Sequence, residues 1–499
     1  MGSTLTSIVI PTVGRPSLRV LLEALAEGSR RVTAPVLVVD DRPAGPPLGP
    51  GLADIGLETL RIVRAGGGGP ARARNIGWRH TRTTWVSFLD DDVVPDADWY
   101  ARLHDDLAGL GPDVAGSQGR VRVPLPEDRR PTDWERGTAG LAEATWITAD
   151  MSYRRDALAA VGGFDERFPR AFREDADLGL RVSEAQGRIV RGQRWITHPV
   201  RPSDDWASVR QQKGNADDFL MRRLHGRHWR ERVHAPQGRR IGHLLTAGSG
   251  ASSVTAAALG HRRTATVAAL AWLAGTGELA WRRIAPGPRD RDEVRRMLLT
   301  SAAIPFAATW HSARGLWRHR HAAPWRGVPD AVLFDRDGTL VHDVPYNGDP
   351  TLVRPVDGVR EALDRLRATG VRVGVVTNQS GVGSGRIALD DVQAVNDRID
   401  ELLGPFDTWQ VCPHDRDDGC TCRKPAPGMI KAACADIGVD PSRCVVVGDI
   451  GSDIEAAEAA GARGILVPTP ATRTVEVEAA DQVCVDATAA VDQILAGHW

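Results

Sequence analysis

Cysteine is absent from the first 411 positions; all six fall between Cys412 and Cys484. A disulfide framework spread through the chain is thereby excluded, and with it the secreted scaffold that depends on one. Strong net charge is absent too. Lys and Arg number 63 and Asp and Glu 64, a formal charge of −1, so bulk electrostatics give no case for a nucleic-acid partner. No long apolar run appears: Thr264–Gly277 is the longest clearly apolar uncharged stretch, at 14 residues. That is short of the roughly 20 needed to span a bilayer. The opening "MGSTLTSIVIPTVGRPSL" has neither a basic n-region nor a long apolar h-region, and reads as a buried strand instead of a signal peptide. No unit recurs at a period of roughly 20 to 50 residues. These absences lead to the expectation of a reduced, cytoplasmic, soluble protein.

What is present divides into three. At 499 residues a single core is improbable, and about three domains are expected. Residues 1–236 alternate short apolar runs ("TSIVIPT", "APVLVVDD", "TWVSFLDDD") with helix-patterned segments, the βα alternation of a mostly parallel sheet. Residues 237–327 turn Ala-rich and Trp-containing with basic clusters, and read as a helical connector broken at "APGPRD". Residues 328–499 return to βα alternation. The expected fold class is α/β, with two sheet domains joined by helices.

The last region carries the strongest chemistry. "VLFDRDGTL" runs an apolar strand into Asp335 and Asp337. Two carboxylates at a strand end face one pocket only if the chain turns there, and an ordinary Asp-Gly turn is the plain alternative. Three further strand or helix ends join them: Thr377 and Asn378 in "VVTNQSG", Lys424 in "CRKP", and Asp449 with Asp453 in "VVVGDIGSD". Between these motifs there is no room for a large cap domain. Just ahead of Lys424, Cys412, His414, Cys420 and Cys422 form C-x-H-x5-C-x-C in a polar loop. Four such ligands in so short a span fit a closed structural Zn²⁺ site that would pin the loop ending at Arg423 and Lys424. Cys434, Cys444 and Cys484 sit in helix or strand patterns and read as ordinary buried cysteines.

The order and spacing of these motifs resemble the haloacid dehalogenase superfamily of phosphatases over essentially all of residues 328–499. The resemblance implies Asp335 as the nucleophile that forms an aspartyl-phosphate, and Asp337 as the acid and then base. It implies Thr377, Asn378, Arg423 and Lys424 around the phosphate or substrate. Mg²⁺ would be held by Asp335, Asp449 and the backbone carbonyl of Asp337, with Asp453 behind them. "DRDGT", "TNQSG" and "CxCRKP" are similar to the subgroup acting on heptose bisphosphate or histidinol phosphate, and the "PGM" after "CRKPA" leans towards the former. One departure is clear: where that family continues Ala-Arg-Gly, this chain has Gly383, Ser384 and Gly385, with Arg386 next. That leaves histidinol phosphate or another small phosphomonoester open as the substrate.

In the first region, "FLDDDVVP" places Asp90, Asp91 and Asp92 at a strand end, a pattern able to bind Mg²⁺ or Mn²⁺ and through it a diphosphate. Acidic loops without metal are also common. "GGGGPARARNIGWR" gives a flexible loop and then a helix bearing Arg72 and Arg74; "FREDADLGLR" adds Glu174 and Asp175. Together with "VIPT", "VVDD" and "GGFDE", these resemble an inverting family 2 glycosyltransferase of GT-A fold over residues 5–230. By that resemblance Thr12, Asp40 and Arg74 contact the nucleotide of a nucleotide-sugar donor. Asp90 and Asp92 bind pyrophosphate and metal (Mg²⁺ or Mn²⁺ on Asp92), and Asp175 is the base for an unknown glycosyl acceptor. His198 matches a downstream His found near the metal in the family, although a satisfied structural His is the plainer reading. Thr148, Ala149 and Asp150 stand where the family has Gly-Ala-Asn.

A sugar nucleotidyltransferase would open with a Gly-rich phosphate loop after its first strand, and here the glycines come only after residue 65. A non-catalytic nucleotide-sugar or membrane-binding module is the alternative of another class. The middle helices carry Trp and Leu at helical spacing with Arg and His at one end. They read either as a connector packed on the transferase or as interfacial helices touching an anionic membrane.

Overall fold

The computed structural model describes residues 5–52, 54–495 and 497–499. The chain forms two compact units, Met1–Pro324 and Trp325–Trp499.

The first unit is built on an eight-stranded sheet: β1 (Thr6–Thr12), β2 (Val36–Asp40), β3 (Leu60–Arg64), β4 (Trp85–Leu89), β5 (Val94–Pro95), β6 (Val114–Arg122), β7 (Asp150–Arg154) and β8 (Arg188–Thr197). Their order is β3-β2-β1-β4-β7-β6-β8-β5. β1 pairs in parallel with β2 on one side and β4 on the other, while β7 runs antiparallel between β4 and β6. Alternate residues of a strand face opposite sides. Ile8, Ile10, Val36 and Val38 therefore enter one core, and Val9, Leu37 and Val39 the other. Helices α1 (Ser17–Ala26) and α3 (Trp99–Ala108) cover the first face; α2 (Pro70–Arg79) and α4 (Glu174–Ala185) cover the second. A strand buried on both faces reads as a continuous apolar run, which is what "IVI" and "VLVV" are.

Four longer helices follow in the same unit: α5 (Gly214–His225), α6 (Arg240–Ala258), α7 (Arg262–Ile284) and α8 (Arg291–Arg318). The last three pack on one another, and α8 also packs on α5. "APGPRD", Ala285–Asp290, is the break between α7 and α8, and the Asp290 side chain accepts from the Glu293 amide to start α8. No helix among the described residues is long and apolar enough to cross a membrane.

The second unit has a five-stranded parallel sheet of β9 (Ala331–Phe334), β10 (Arg372–Asn378), β11 (Thr408–Cys412), β12 (Cys444–Gly448) and β13 (Arg463–Leu466), in the order β11-β10-β9-β12-β13. Val332 and Phe334 face the core made with α9 (Val359–Ala368) and α10 (Leu389–Leu403); Ala331 and Leu333 face α11 (Gly428–Ile437) and α12 (Gly451–Ala460). In both sheets the strand order reverses beside the first strand of the unit. Ligands of open α/β sheets sit at such switch points, outside the carboxyl ends of the strands.

Candidate active sites

In the second unit every expected strand-end residue reaches that edge. Asp335 follows β9, Thr377 and Asn378 close β10, and Asp449 follows β12. Lys424 is buried, and its ammonium donates to Asp335 Oδ1 and to the Val376 carbonyl (3.0 Å), and pairs with Asp453 Oδ1 at 2.5 Å. Burial would lower the Lys424 ammonium, but Asp335 and Asp453 outweigh it and hold its pKa above the usual range. Burial, with Asp453 and Asp337 nearby, pushes the Asp335 carboxyl up against the pull of Lys424. Asp449 is raised to about 6 by burial and by Asp453.

Asp335, Asp449 and Asp453 each offer a carboxylate oxygen, all within 4.8 Å of one another. Three carboxylates against one ammonium leave negative charge uncompensated in a buried place, which suits a divalent cation with oxygen ligands. Gly338 makes the approach possible. Its φ is +81°, and a Cβ there would lie 2.4 Å from Asp449 Oδ2.

Asp337 stands apart from this cluster, held by neighbours that the sequence reading missed. The Arg336 guanidinium donates to both its oxygens (3.1 and 3.0 Å), and Gln379 Nε2 to Oδ2 at 2.8 Å. Arg336 also reaches Asn396 Oδ1 (2.9 Å), and Gln379 reaches Thr377 Oγ1 (2.9 Å). Both lie inside quoted motifs, "DRDGT" and "TNQSG", so the signal was adjacency to a reactive residue. Asn378 spends both amide atoms on the Lys424 backbone, accepting from its N–H at 3.1 Å and donating to its C=O at 3.2 Å. It therefore clamps the lysine loop to β10.

The cysteine loop closes as its spacing suggests. Sγ of Cys422 lies 3.4 Å from that of Cys412 and 3.5 Å from that of Cys420, and Cys412 to Cys420 is 3.7 Å. His414 Nδ1 is 3.2 Å from Cys422 Sγ and 3.6 Å from Cys412 Sγ. These are not disulfides. A tetrahedral Zn²⁺ with Zn–S near 2.3 Å would set sulfurs about 3.8 Å apart, so the four side chains fit that ion. Arg423 Nη1 donates to the His414 carbonyl at 3.3 Å, tying the loop to the residue before Lys424. Gly383 donates its N–H to Pro413 O at 2.8 Å, and a Cβ there would sit 2.6 Å from the Asp415 nitrogen. The Arg386 guanidinium lies 4.5 Å over the exposed Tyr346 ring.

In the first unit a cavity of about 290 Å³ opens at the carboxyl edge, lined in part by Thr12, Asp41, Arg74, Asp90 and Arg201. The triple Asp divides its work. Asp91 accepts from Thr12 Oγ1 (2.6 Å) and Arg15 Nη1 (2.7 Å), closing β1 onto the loop after β4. Asp90 accepts from Arg74 Nη2 at 2.7 Å. Asp92 is buried beside Arg201 and His198, whose Nε2 is 3.6 Å from Asp92 Oδ2; Asp92 Oδ1 has no hydrogen-bond partner. A buried, unpaired carboxylate oxygen next to an imidazole is a donor set suited to Mg²⁺ or Mn²⁺.

Arg74 is fully buried and bridges Asp90 to Glu174 Oε1 (2.9 Å), so it joins the loop after β4 to the start of α4. Burial would depress Arg74, but those two carboxylates raise it beyond its usual value. Of the "VVDD" pair, Asp40 is bound by the Arg42 guanidinium (2.8 and 2.7 Å). Its neighbour Asp41 accepts from the backbone N–H groups of Gly67, Gly68 and Gly69 and faces the cavity. Asp175 lies in the first turn of α4, two positions after Arg173, a non-glycine at φ +78°. Burial raises the Asp175 carboxyl, opposed by the Ala176 amide, Arg74 and Arg173.

Residues 7–176 match the glycosyl transferase family 2 model, and residues 421–493 the HAD-hydrolase-like model. The chain is 37% identical over 145 residues to the D-glycero-beta-D-manno-heptose-1,7-bisphosphate 7-phosphatase of Rhodopseudomonas palustris, covering 27% of this chain and 81% of that one. Among solved structures it is similar to the heptose 1,7-bisphosphate phosphatase of Bordetella bronchiseptica, complexed with magnesium and phosphate, at 32% identity and TM-score 0.31, over 33% of this chain and 97% of that one. It is also similar to a mannosyltransferase of Pyrobaculum calidifontis in complex with GDP-Man and Mn²⁺, at 18% identity and TM-score 0.39, over 63% and 88% of the two chains. Through its second unit the chain belongs to the HAD-like heptose-bisphosphate phosphatase family, and it joins to that phosphatase an N-terminal family 2 glycosyltransferase domain.

Proposed function

We propose that the second unit hydrolyses the 7-phosphate of D-glycero-D-manno-heptose 1,7-bisphosphate, and that the first transfers a sugar from a nucleotide-sugar donor with inversion. The phosphatase reading is carried by one arrangement: Asp335 paired to Lys424, with Asp337 held separately by Arg336 and Gln379. Two carboxylates in different surroundings suit two roles. The Asp335 carboxylate attacks phosphorus while the bond to the sugar oxygen breaks, and Asp337 gives that oxygen a proton. Asp337 then takes a proton from water, whose oxygen attacks phosphorus, releasing phosphate and freeing Asp335. Lys424 and Thr377 face the equatorial oxygens, where charge collects. Arg423 offers a second anionic group a bidentate partner, which favours a bisphosphate. Mg²⁺ held by Asp335, Asp449 and the Asp337 carbonyl would supply positive charge to the phosphoryl group. Zn²⁺ on Cys412, His414, Cys420 and Cys422 would fix the Arg423–Lys424 loop. Thiolates that stay available to metal suit a reducing, cytoplasmic setting.

In the first unit Asp175 takes the acceptor hydroxyl proton as that oxygen bonds the sugar and the bond to the donor phosphate breaks. Asp92, with His198 beside it, would hold Mg²⁺ or Mn²⁺, which supplies charge to the leaving diphosphate. Thr12 and Asp41 frame the nucleotide end of the cavity.

Phosphate release by the full chain with Mg²⁺ tests the phosphatase reading. Heptose 1,7-bisphosphate is expected to show the higher kcat/KM, and equal or better turnover of histidinol phosphate would remove the heptose assignment. Asp335→Asn is expected to abolish phosphate release and spare donor hydrolysis or transfer, and Asp175→Asn to do the reverse. Loss of both activities in either folded variant would contradict two separate sites.

A further inference from the structure

Helices α6, α7 and α8 are inside out for a protein surrounded by water. Among the described residues, 27 large hydrophobic side chains are exposed, and 15 of them lie between Ile241 and Trp317. Soluble chains scatter such side chains; a concentration of this kind marks an interaction surface. Small residues make up much of what these helices bury, with Leu279, Arg283, Met297 and Ile304 among the larger exceptions. Thr246, Ala247 and Ala256 are the buried residues of α6. A Cβ on Gly250 would stand 2.8 Å from the Phe306 ring, and one on Gly275 would stand 2.3 Å from Thr246 Oγ1. Small residues bring the backbones together, as in helices packed within lipid, while Leu244, Leu270, Leu298, Trp310 and Trp317 are exposed. On α8, Leu299, Phe306, Trp310 and Trp317 recur at helical spacing and form one exposed apolar stripe.

Charge identifies what covers this surface. Residues 232–277 and 294–329 contain no Asp or Glu, yet hold five and six Arg. Where α5, α6 and the end of α8 meet, a groove of about 910 Å³ has Leu244, Ala313 and Leu316 among its walls and Arg222, Arg223, Arg240 and Arg320 among its rim. All four arginines are exposed, and no carboxylate among the described residues forms an ion pair with any of them. Arg240 lies 5.2 Å over the Phe219 ring and Arg320 5.0 Å over that of Trp317, whose carbonyl also accepts from Arg320 Nη1 at 2.7 Å, so aromatic faces position two guanidinium groups without neutralising their charge. Unneutralised guanidinium groups above an apolar floor match a phosphate headgroup with its hydrocarbon chain.

We propose that α6–α8 form a docking surface for an anionic phospholipid bilayer. The exposed Leu and Trp side chains enter the interfacial layer, and Arg222, Arg223, Arg240 and Arg320 take lipid phosphates. The helices lie on the bilayer and do not cross it, since none is long and apolar enough. The proposal does not depend on either catalytic reading.

The test is flotation of the full chain with phosphatidylglycerol/phosphatidylcholine vesicles and with phosphatidylcholine alone, at about 0.1 M salt. Two variants accompany it: Arg222→Ala/Arg223→Ala/Arg240→Ala/Arg320→Ala, and Leu244→Ser/Trp310→Ser/Trp317→Ser. Circular dichroism is expected to be unchanged in both, because every altered side chain is exposed. The expected result is flotation only with the anionic vesicles, weakened about 100-fold or more by the arginine variant and lost in the apolar one. Absence of flotation, equal flotation with neutral vesicles, or flotation that both variants retain would each overturn the proposal. So would a dimer in lipid-free solution that the apolar variant dissociates, with no vesicle binding, which would assign the surface to a second copy of the chain.

Discussion

Gly338→Ala separates backbone strain from site geometry in the phosphatase unit. Gly338 has φ +81°, and the added Cβ would lie 2.4 Å from Asp449 Oδ2 and 2.8 Å from its Cγ. The left-handed conformation costs a β-carbon roughly 1–2 kcal/mol. In a unit of this size that lowers Tm by about 2–8 °C. The contact does more. Ordinary van der Waals separation requires Asp449 to retreat by about 1 Å, and a displacement of that order at a catalytic constellation costs about 100-fold in rate. The half-saturating Mg²⁺ concentration is expected to rise as well, because Asp449 is one of the three carboxylates gathered there. Gly438→Ala is the control: its φ is +68° with nothing within 4 Å of the added atom. It is expected to lose similar stability while keeping its Mg²⁺ dependence. The assay is phosphate release against Mg²⁺ concentration, with thermal unfolding of each variant. Gly338→Ala turnover within about twofold of the parent at equal Mg²⁺ would refute the placement of Asp449 at the metal.

Two other expectations are independent of that one. Metal analysis of the purified chain is expected to find about one Zn per chain, and Cys422→Ser to lose it together with phosphatase activity while transferase activity stays; a zinc-free chain with full phosphatase activity would contradict this. His319 is buried and its pKa is lowered to about 4, by desolvation first and by Arg318 and Arg167 after it. Between the ordinary His value near 6.5 and 4 the unfolded chain binds a proton that the folded chain refuses, so stability falls as pH falls, by at most about 1.4 kcal/mol per pH unit. His319→Gln is expected to flatten that part of the stability profile in denaturant titrations, and an unchanged slope would count against the burial of a neutral imidazole.

Local pattern alone set the two sheets, the edge on which each candidate site lies, and the convergence of the cysteine loop. Strands buried on both faces have to be continuous apolar runs, and the carboxylates of "VLFDRD", "VVVGD" and "FLDDD" come at the ends of such runs. Cys412, His414, Cys420 and Cys422 needed only local spacing, because ligands within eleven positions converge with little help from the rest of the fold. Pairings across long separations needed the tertiary structure. Arg74 and Glu174 are 100 positions apart, and only the packing of α2 beside α4 turns an arginine read as a nucleotide contact into a buried bridge. Within "VVDD" the choice between Asp40 and Asp41 depended on which carboxylate met Arg42 and which met the glycine amides. Asn378 reads as a substrate amide until Lys424, 46 positions on, occupies both its atoms. The outward face of α6–α8 was the least legible. Trp and Leu at helical spacing ordinarily mark the side a helix buries, and only the packing of α6–α8 on one another reveals that Gly250, Gly275 and Ala256 are turned inward while Trp310 and Trp317 are exposed.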